Sequence, residues 1–147
     1  MTTRVDFYVL EGSDTRGRLV YACRLIDKAF GLKQAVYVHL GSGGEAQAFD
    51  ELLWTYHDRS FVPHALSGTE AAAAAPVVLG HDATAPAADL LVNLAPDAPE
   101  FFAQYARVAE FVDADPERRE QGRRRYAFYR ERGVKPETHN VGTRADT

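Results

Sequence analysis

Short runs of β-forming residues alternate along this chain with stretches whose apolar residues recur at helical spacing. That alternation limits the fold more than any other feature. The first run, Val5-Asp6-Phe7-Tyr8-Val9-Leu10, closes on the turn cluster Glu11-Gly12-Ser13-Asp14. Residues 15–30 then place Leu19, Ala22 with Cys23, Ile26 and Ala29 with Phe30 on one helical face, and Gly31 stands where a helix stop is expected. A second strand over 35–40 leads through Gly41-Ser42-Gly43-Gly44 into a helix over about 45–56, with Ala48, Leu52 and Trp54 or Tyr56 available for burial. Residues 57–76 lack regular periodicity, and strand-like runs return at 77–80 and 89–94. A short helix entered through Pro99 is predicted over 100–105, and a last strand over 108–112. The final helix opens on Asp115-Pro116 and ends at Gly133. Strands and helices in this order predict a single α/β domain over residues 1–134, a mostly parallel central sheet flanked by helices. Residues 135–147 are polar and are expected to form a flexible C-terminal tail.

Several kinds of chemistry lack the residues they need. With one cysteine, Cys23, no internal disulfide or thiolate metal cage can form, which favours a reducing compartment. The N-terminal residues contain no apolar run of signal-peptide length, and the longest apolar stretch, 71–79, is broken by Pro76. A soluble, cytoplasmic protein without membrane contact is expected. Gly41-Ser42-Gly43-Gly44 lacks the spacing of a dinucleotide fingerprint and the Lys-Ser/Thr of a P-loop, so a tight strand-to-helix turn is the better reading. His39, His57, His64, His81 and His139 form no metal-binding helical pair, although His57, Asp58 and His64 lie near one another in sequence; scattered surface or loop histidines are expected. Cys23 falls on the apolar stripe of the first helix as a small core residue. Ser42 and Ser60 lack a nucleophile-elbow context, and Asp50 and Glu51 fit a helix surface. No catalytic residue, cofactor or metal is expected.

Two features exceed what a core requires. Between Asp115 and Arg132, seven arginines face four acids, so this segment carries +3 within a chain of net charge −4 and leaves −7 on the remainder. On a helix Arg119, Arg123, Tyr126 and Arg130 share one stripe. Such a stripe can be a solvated face with its tyrosines turned inward. Guanidinium forks beside an aromatic wall also suit a peptide bearing carboxylates and an apolar anchor. Single-stranded nucleic acid would use the same groups, but the acidic remainder of the chain disfavours it. The second feature is Leu52-Leu53-Trp54 followed by Ser60-Phe61-Val62-Pro63-His64. Its large apolar groups serve either as a plug under a loop or as an exposed interface patch.

Taken together, Asp6-Phe7-Tyr8-Val9-Leu10, Leu53-Trp54, Ser60-Phe61-Val62-Pro63-His64 and Arg123-Arg124-Arg125-Tyr126-Ala127-Phe128-Tyr129-Arg130 resemble the chi subunit family of bacterial DNA polymerase III, over about residues 5–134. The resemblance implies a non-catalytic accessory subunit of the clamp-loader complex, with a nucleotide-fold-like sheet and no nucleotide. It implies two partners, the psi subunit and the acidic C-terminal tail of single-stranded-DNA-binding protein, with DNA reached only indirectly. By position, Arg119, Arg123, Tyr126 and Arg130, with Val112 at the pocket edge, would hold the tail. Tail carboxylates would pair with the arginines while a terminal aromatic packs beside Tyr126 and Val112. Trp54, Phe61 and Pro63 would face psi.

Overall fold

The computed structural model describes residues 3–57, 61–81 and 86–141. Strands β1 (Arg4–Leu10), β2 (Val36–His39), β3 (His64–Leu66), β4 (Val77–Gly80), β5 (Leu90–Asn93), β6 (Arg107–Val112) and β7 (Glu137–Val141) form one sheet in the order β3-β4-β2-β5-β6-β1-β7. Every neighbouring pair runs parallel, so both faces need cover. Helices α1 (Thr15–Gly31), α2 (Gly43–Thr55) and α3 (Pro116–Glu131) supply most of it, with 3-10 turns at Glu70–Ala73 and Glu100–Gln104.

Strand alternation divides the core. Tyr8, Val38, Val92 and Phe111 pack with Ile26, Phe49 and Leu53 of α1 and α2. Val5, Phe7, Tyr37, Leu91, Val108 and Val112 turn the other way, towards Phe102, Tyr105 and Tyr129. The expected α/β fold and the parallel sheet are therefore present.

Several local expectations need correction. Helix α1 does end at Gly31, but the left-handed residue that closes it is Lys33, at φ 63°. Its N–H bonds to Phe30 O at 2.9 Å and that of Gln34 to Ala29 O at 3.0 Å, the paired bonds that close a helix over a left-handed residue. Gly133 fills the same position after α3, at φ 84°. Helix α2 starts at Gly43 because the Ser42 side chain caps it, accepting from the Glu45 N–H at 3.2 Å. Its buried stripe is Ala46, Phe49 and Leu53; Ala48 and Trp54 are exposed and Leu52 half-buried. The irregular reading of 57–76 misses β3, whose three residues are too few to show a period.

The largest correction lies at the C-terminus. Residues 137–141 are the edge strand β7, paired in parallel with β1 from Asp6 opposite Glu137 to Leu10 opposite Val141, and not a loose tail. The domain thus extends past 134 to at least Val141, and 142–147 lie outside the described residues. A solvated edge strand needs no hydrophobic period, and its Glu-Thr-His-Asn-Val sequence has none.

Candidate functional site

Helix α3 is held to the sheet by a glycine, one buried ion pair and one part-buried ion pair. Asp115 caps its N-terminus, accepting from the Arg118 N–H at 3.0 Å, and Pro116 occupies the first turn. One turn on, Gly122 meets β6 so closely that an added Cβ would sit 2.7 Å from Val112 Cγ2. Beyond it Arg125 turns inward, its Nε 2.7 Å from Glu110 Oε1, and donates to Pro96 O at 2.9 Å and Phe111 O at 3.2 Å. The Tyr129 hydroxyl donates to Glu110 Oε2 at 2.6 Å and the Asn93 amide at 2.8 Å. Burial, and then the Glu110 charge, push the Tyr129 phenol far up. Arg118 grips Asp113 through two nitrogens at 2.8–3.1 Å and reaches Ser13 O and Thr15 Oγ1. The hydrogen bonds to Asp113 raise its guanidinium pKa above the usual arginine value.

With these groups turned inward, the remaining faces of α3 are turned to solvent. Arg119, Arg123, Arg124 and Arg130 are exposed. Arg123 and Arg124 share Glu120, at 3.3 and 4.0 Å, whereas Arg119 and Arg130 make no ion pair with any described residue. Tyr126 is half-buried, its ring 5.4 Å from that of Phe7, in the cluster that contains Val112. It therefore sits where core meets surface. Helical spacing brings Arg119, Arg123, Tyr126 and Arg130 onto one side, with Val112 backing the helix beneath Gly122.

The expected apolar surface lies towards the other end of the sheet. Trp54 is 39% and Phe61 73% exposed, and their ring centroids are 5.4 Å apart. Pro63 is half-buried, while Val62 and His64 point inward between these outward groups. The expectation of surface histidines fails at His64, which is buried. Its Nδ1 lies 2.7 Å from Val62 O, its Nε2 3.2 Å from Asp50 Oδ1, and its ring 4.0 Å from that of Trp54. His64 thus fixes the loop that presents Phe61. Asp58 and Ser60 fall outside the described residues.

Charge alone does not distinguish Arg118 and Arg125 from surface arginines, and no motif singles out Glu110, Asn93 or Asp113. A signal existed: Gly122, Arg125 and Tyr129 recur at helical spacing, a small residue followed by two groups that reach inward. A third cluster, Asp6 with Glu137 and His139, has ligand-type atoms within 4.8 Å of one another. The Asp6 carboxylate is already shared among Arg107 at 3.0 Å, Arg4 at 3.1 Å and His139 at 2.8 Å, so the cluster ties β7 to β1 electrostatically. None of the described helices is long and apolar enough to cross a membrane.

The family model described as DNA polymerase III chi subunit, HolC, matches residues 1–137. A DNA polymerase III subunit chi of Pseudomonas aeruginosa is 39% identical over 140 residues, covering 95% of this chain and 97% of that protein. Its counterpart from Haemophilus influenzae is 30% identical over 144 residues, covering 97% of this chain and all of that one. That of Escherichia coli is 26% identical over 133 residues, covering 86% and 90% respectively.

Proposed function

Because this chain belongs to the DNA polymerase III chi subunit family, we propose that it is a non-catalytic, cytoplasmic clamp-loader subunit bridging psi and the acidic C-terminal tail of single-stranded-DNA-binding protein. The observation that carries this reading is the division of labour on α3. Arg118 and Arg125 are committed to Asp113 and Glu110, while Arg119, Arg123 and Arg130 remain outside beside the half-exposed ring of Tyr126. Tail carboxylates pair with the outer guanidinium groups, and a terminal aromatic side chain packs against Tyr126 and Val112. Exposed ion pairs each contribute only about 0–1 kcal/mol. Affinity therefore depends on the apolar anchor, and salt weakens binding without abolishing it. A contact of micromolar class, about −8 kcal/mol, suffices where many tails are presented together.

Trp54, Phe61 and Pro63 form the psi-facing surface, supported by the exposure of two large rings on a loop braced by buried His64. A direct grip on single-stranded nucleic acid is disfavoured, because two of the seven arginines are turned inward onto carboxylates. Titration of a labelled acidic-tail peptide against wild type and Arg123→Ala tests the tail site. Weaker binding by the variant is expected, and equal affinity would overturn the assignment.

A further inference from the structure

Strands β2 and β5 lie side by side, yet the chain leaves them in opposite directions. From β2 it passes through α2 towards the β3 edge; from β5 it passes to β6, towards the β7 edge. The crevice between the carboxyl ends of two such strands is where open α/β sheets bind ligands. Here it holds a cavity of about 370 Å³, with Arg18, Glu45 and Arg118 among its polar lining and Leu40, Phe49 and Leu94 among its apolar lining. That volume lies within the roughly 300–1,000 Å³ typical of small-molecule sites.

Of the three guanidinium groups lining it, two are fully engaged: Arg118 by Asp113, and Arg125 by Glu110 and two carbonyls. Arg18 is not. Its Nε is buried without a hydrogen-bond partner, the one such side-chain atom among the described residues. Burial pushes its guanidinium pKa down, and the charges of Arg118 and Arg125 push the same way, against Asp113 and Glu45. Both of those acids are occupied, Asp113 by Arg118 and Glu45 by the Gly41 N–H at 3.1 Å. A desolvated cationic donor without an acceptor is costly, and a ligand oxygen would satisfy it. Glu45 meanwhile stands at the start of α2, where an anion would otherwise be favoured.

We propose that this crevice binds a small organic anion, whose carboxylate or phosphate oxygen accepts the Arg18 Nε–H while a compact apolar body rests on Leu40, Phe49 and Leu94. Glu45 competes with the ligand and keeps the site weak. The site lies on the sheet-facing side of α3, away from the Arg119–Arg123–Tyr126 stripe, and does not depend on tail docking.

Calorimetric titration with benzoate and with phenyl phosphate tests the proposal, since the two probes share an apolar ring and differ in their oxyanion. Saturable binding of at least one is expected, and the tighter of the two identifies the headgroup class. Arg18→Met should weaken it by about tenfold or more, the value of a charge-assisted hydrogen bond. Glu45→Gln, which keeps an acceptor for Gly41, should tighten it. The unliganded Arg18→Met protein should melt no lower than wild type, because a buried N–H donor without an acceptor has been removed. Failure of both probes to saturate, equal affinity in Arg18→Met, unaltered affinity in Glu45→Gln, or a lower melting temperature for unliganded Arg18→Met would each overturn the proposal.

Discussion

Replacing Arg125 by methionine removes the cation that neutralises Glu110 while keeping most of the apolar stem that packs under α3. In the native protein the Arg125 guanidinium is 2.7 Å from Glu110 and also satisfies the carbonyls of Pro96 and Phe111. Glu110 has no solvent exposure, so the variant would leave its carboxylate with only the Tyr129 hydroxyl and the Asn93 amide. Breaking a buried pair on one side costs about 3–5 kcal/mol. A domain of this size has about 5–15 kcal/mol in all, so the variant should fold but with a sharply lower urea midpoint. Adding Glu110→Gln removes the stranded charge and keeps an acceptor for Tyr129. The double variant should then recover at least about 1 kcal/mol relative to the sum of the singles. Equilibrium urea unfolding of all four proteins measures both quantities. A loss below about 1 kcal/mol for Arg125→Met, or additivity in the cycle, would refute the reasoning that Glu110 is a buried, charge-paired anchor for α3.

Lys33→Gly should raise stability by about 0.5–1 kcal/mol, because a left-handed residue costs a side chain roughly 1–2 kcal/mol and glycine gives back only part of that in entropy; the urea midpoint reports it. Stability should also decline in alkali. Burial raises the pKa of the Cys23 thiol and the Tyr105 phenol to about 12 and that of Tyr129 further. Between roughly pH 8.5 and 10 the unfolded chain loses these protons while the native state keeps them, so unfolding becomes progressively more favourable as pH rises towards the native values. Urea midpoints from pH 8 to 11 should fall steadily, and a flat profile would contradict the burial of these groups.

How far the sequence exposes this protein depends on which force shapes each element. The strands buried on both faces, β1, β2, β4, β5 and β6, are dense in β-forming residues and can be located without a structure. The two edge strands cannot. β3 has three residues, and the pattern of β7 is set by solvent on its outer side rather than by a core. Within α3 the stripe of Arg119, Arg123, Tyr126 and Arg130 follows from helical spacing alone; spacing also groups Arg125 with Gly122 and Tyr129, but it does not say what Arg118 and Arg125 meet on the inside. That depends on which acids the sheet places opposite them, and Glu110 and Asp113 are brought there by β6. Arg18 escapes notice for the same reason: its Nε is enclosed where α1 meets the carboxyl ends of strands far apart in sequence. Charge counting treats all seven arginines between Asp115 and Arg132 alike, and only tertiary structure separates those that hold the helix from those left at the surface.

In the proposed function the exposed arginine stripe of α3 receives an acidic tail, while the sheet-facing side only anchors the helix. Amide and side-chain NMR shifts recorded during titration with an acidic-tail peptide test this most directly. Perturbations should concentrate on Arg119, Arg123, Tyr126, Arg130 and Val112, leaving Trp54 and Phe61 at the other end of the sheet unmoved. A footprint centred on Trp54 and Phe61, or shifts absent from the α3 stripe at saturating peptide, would rule out tail docking on α3.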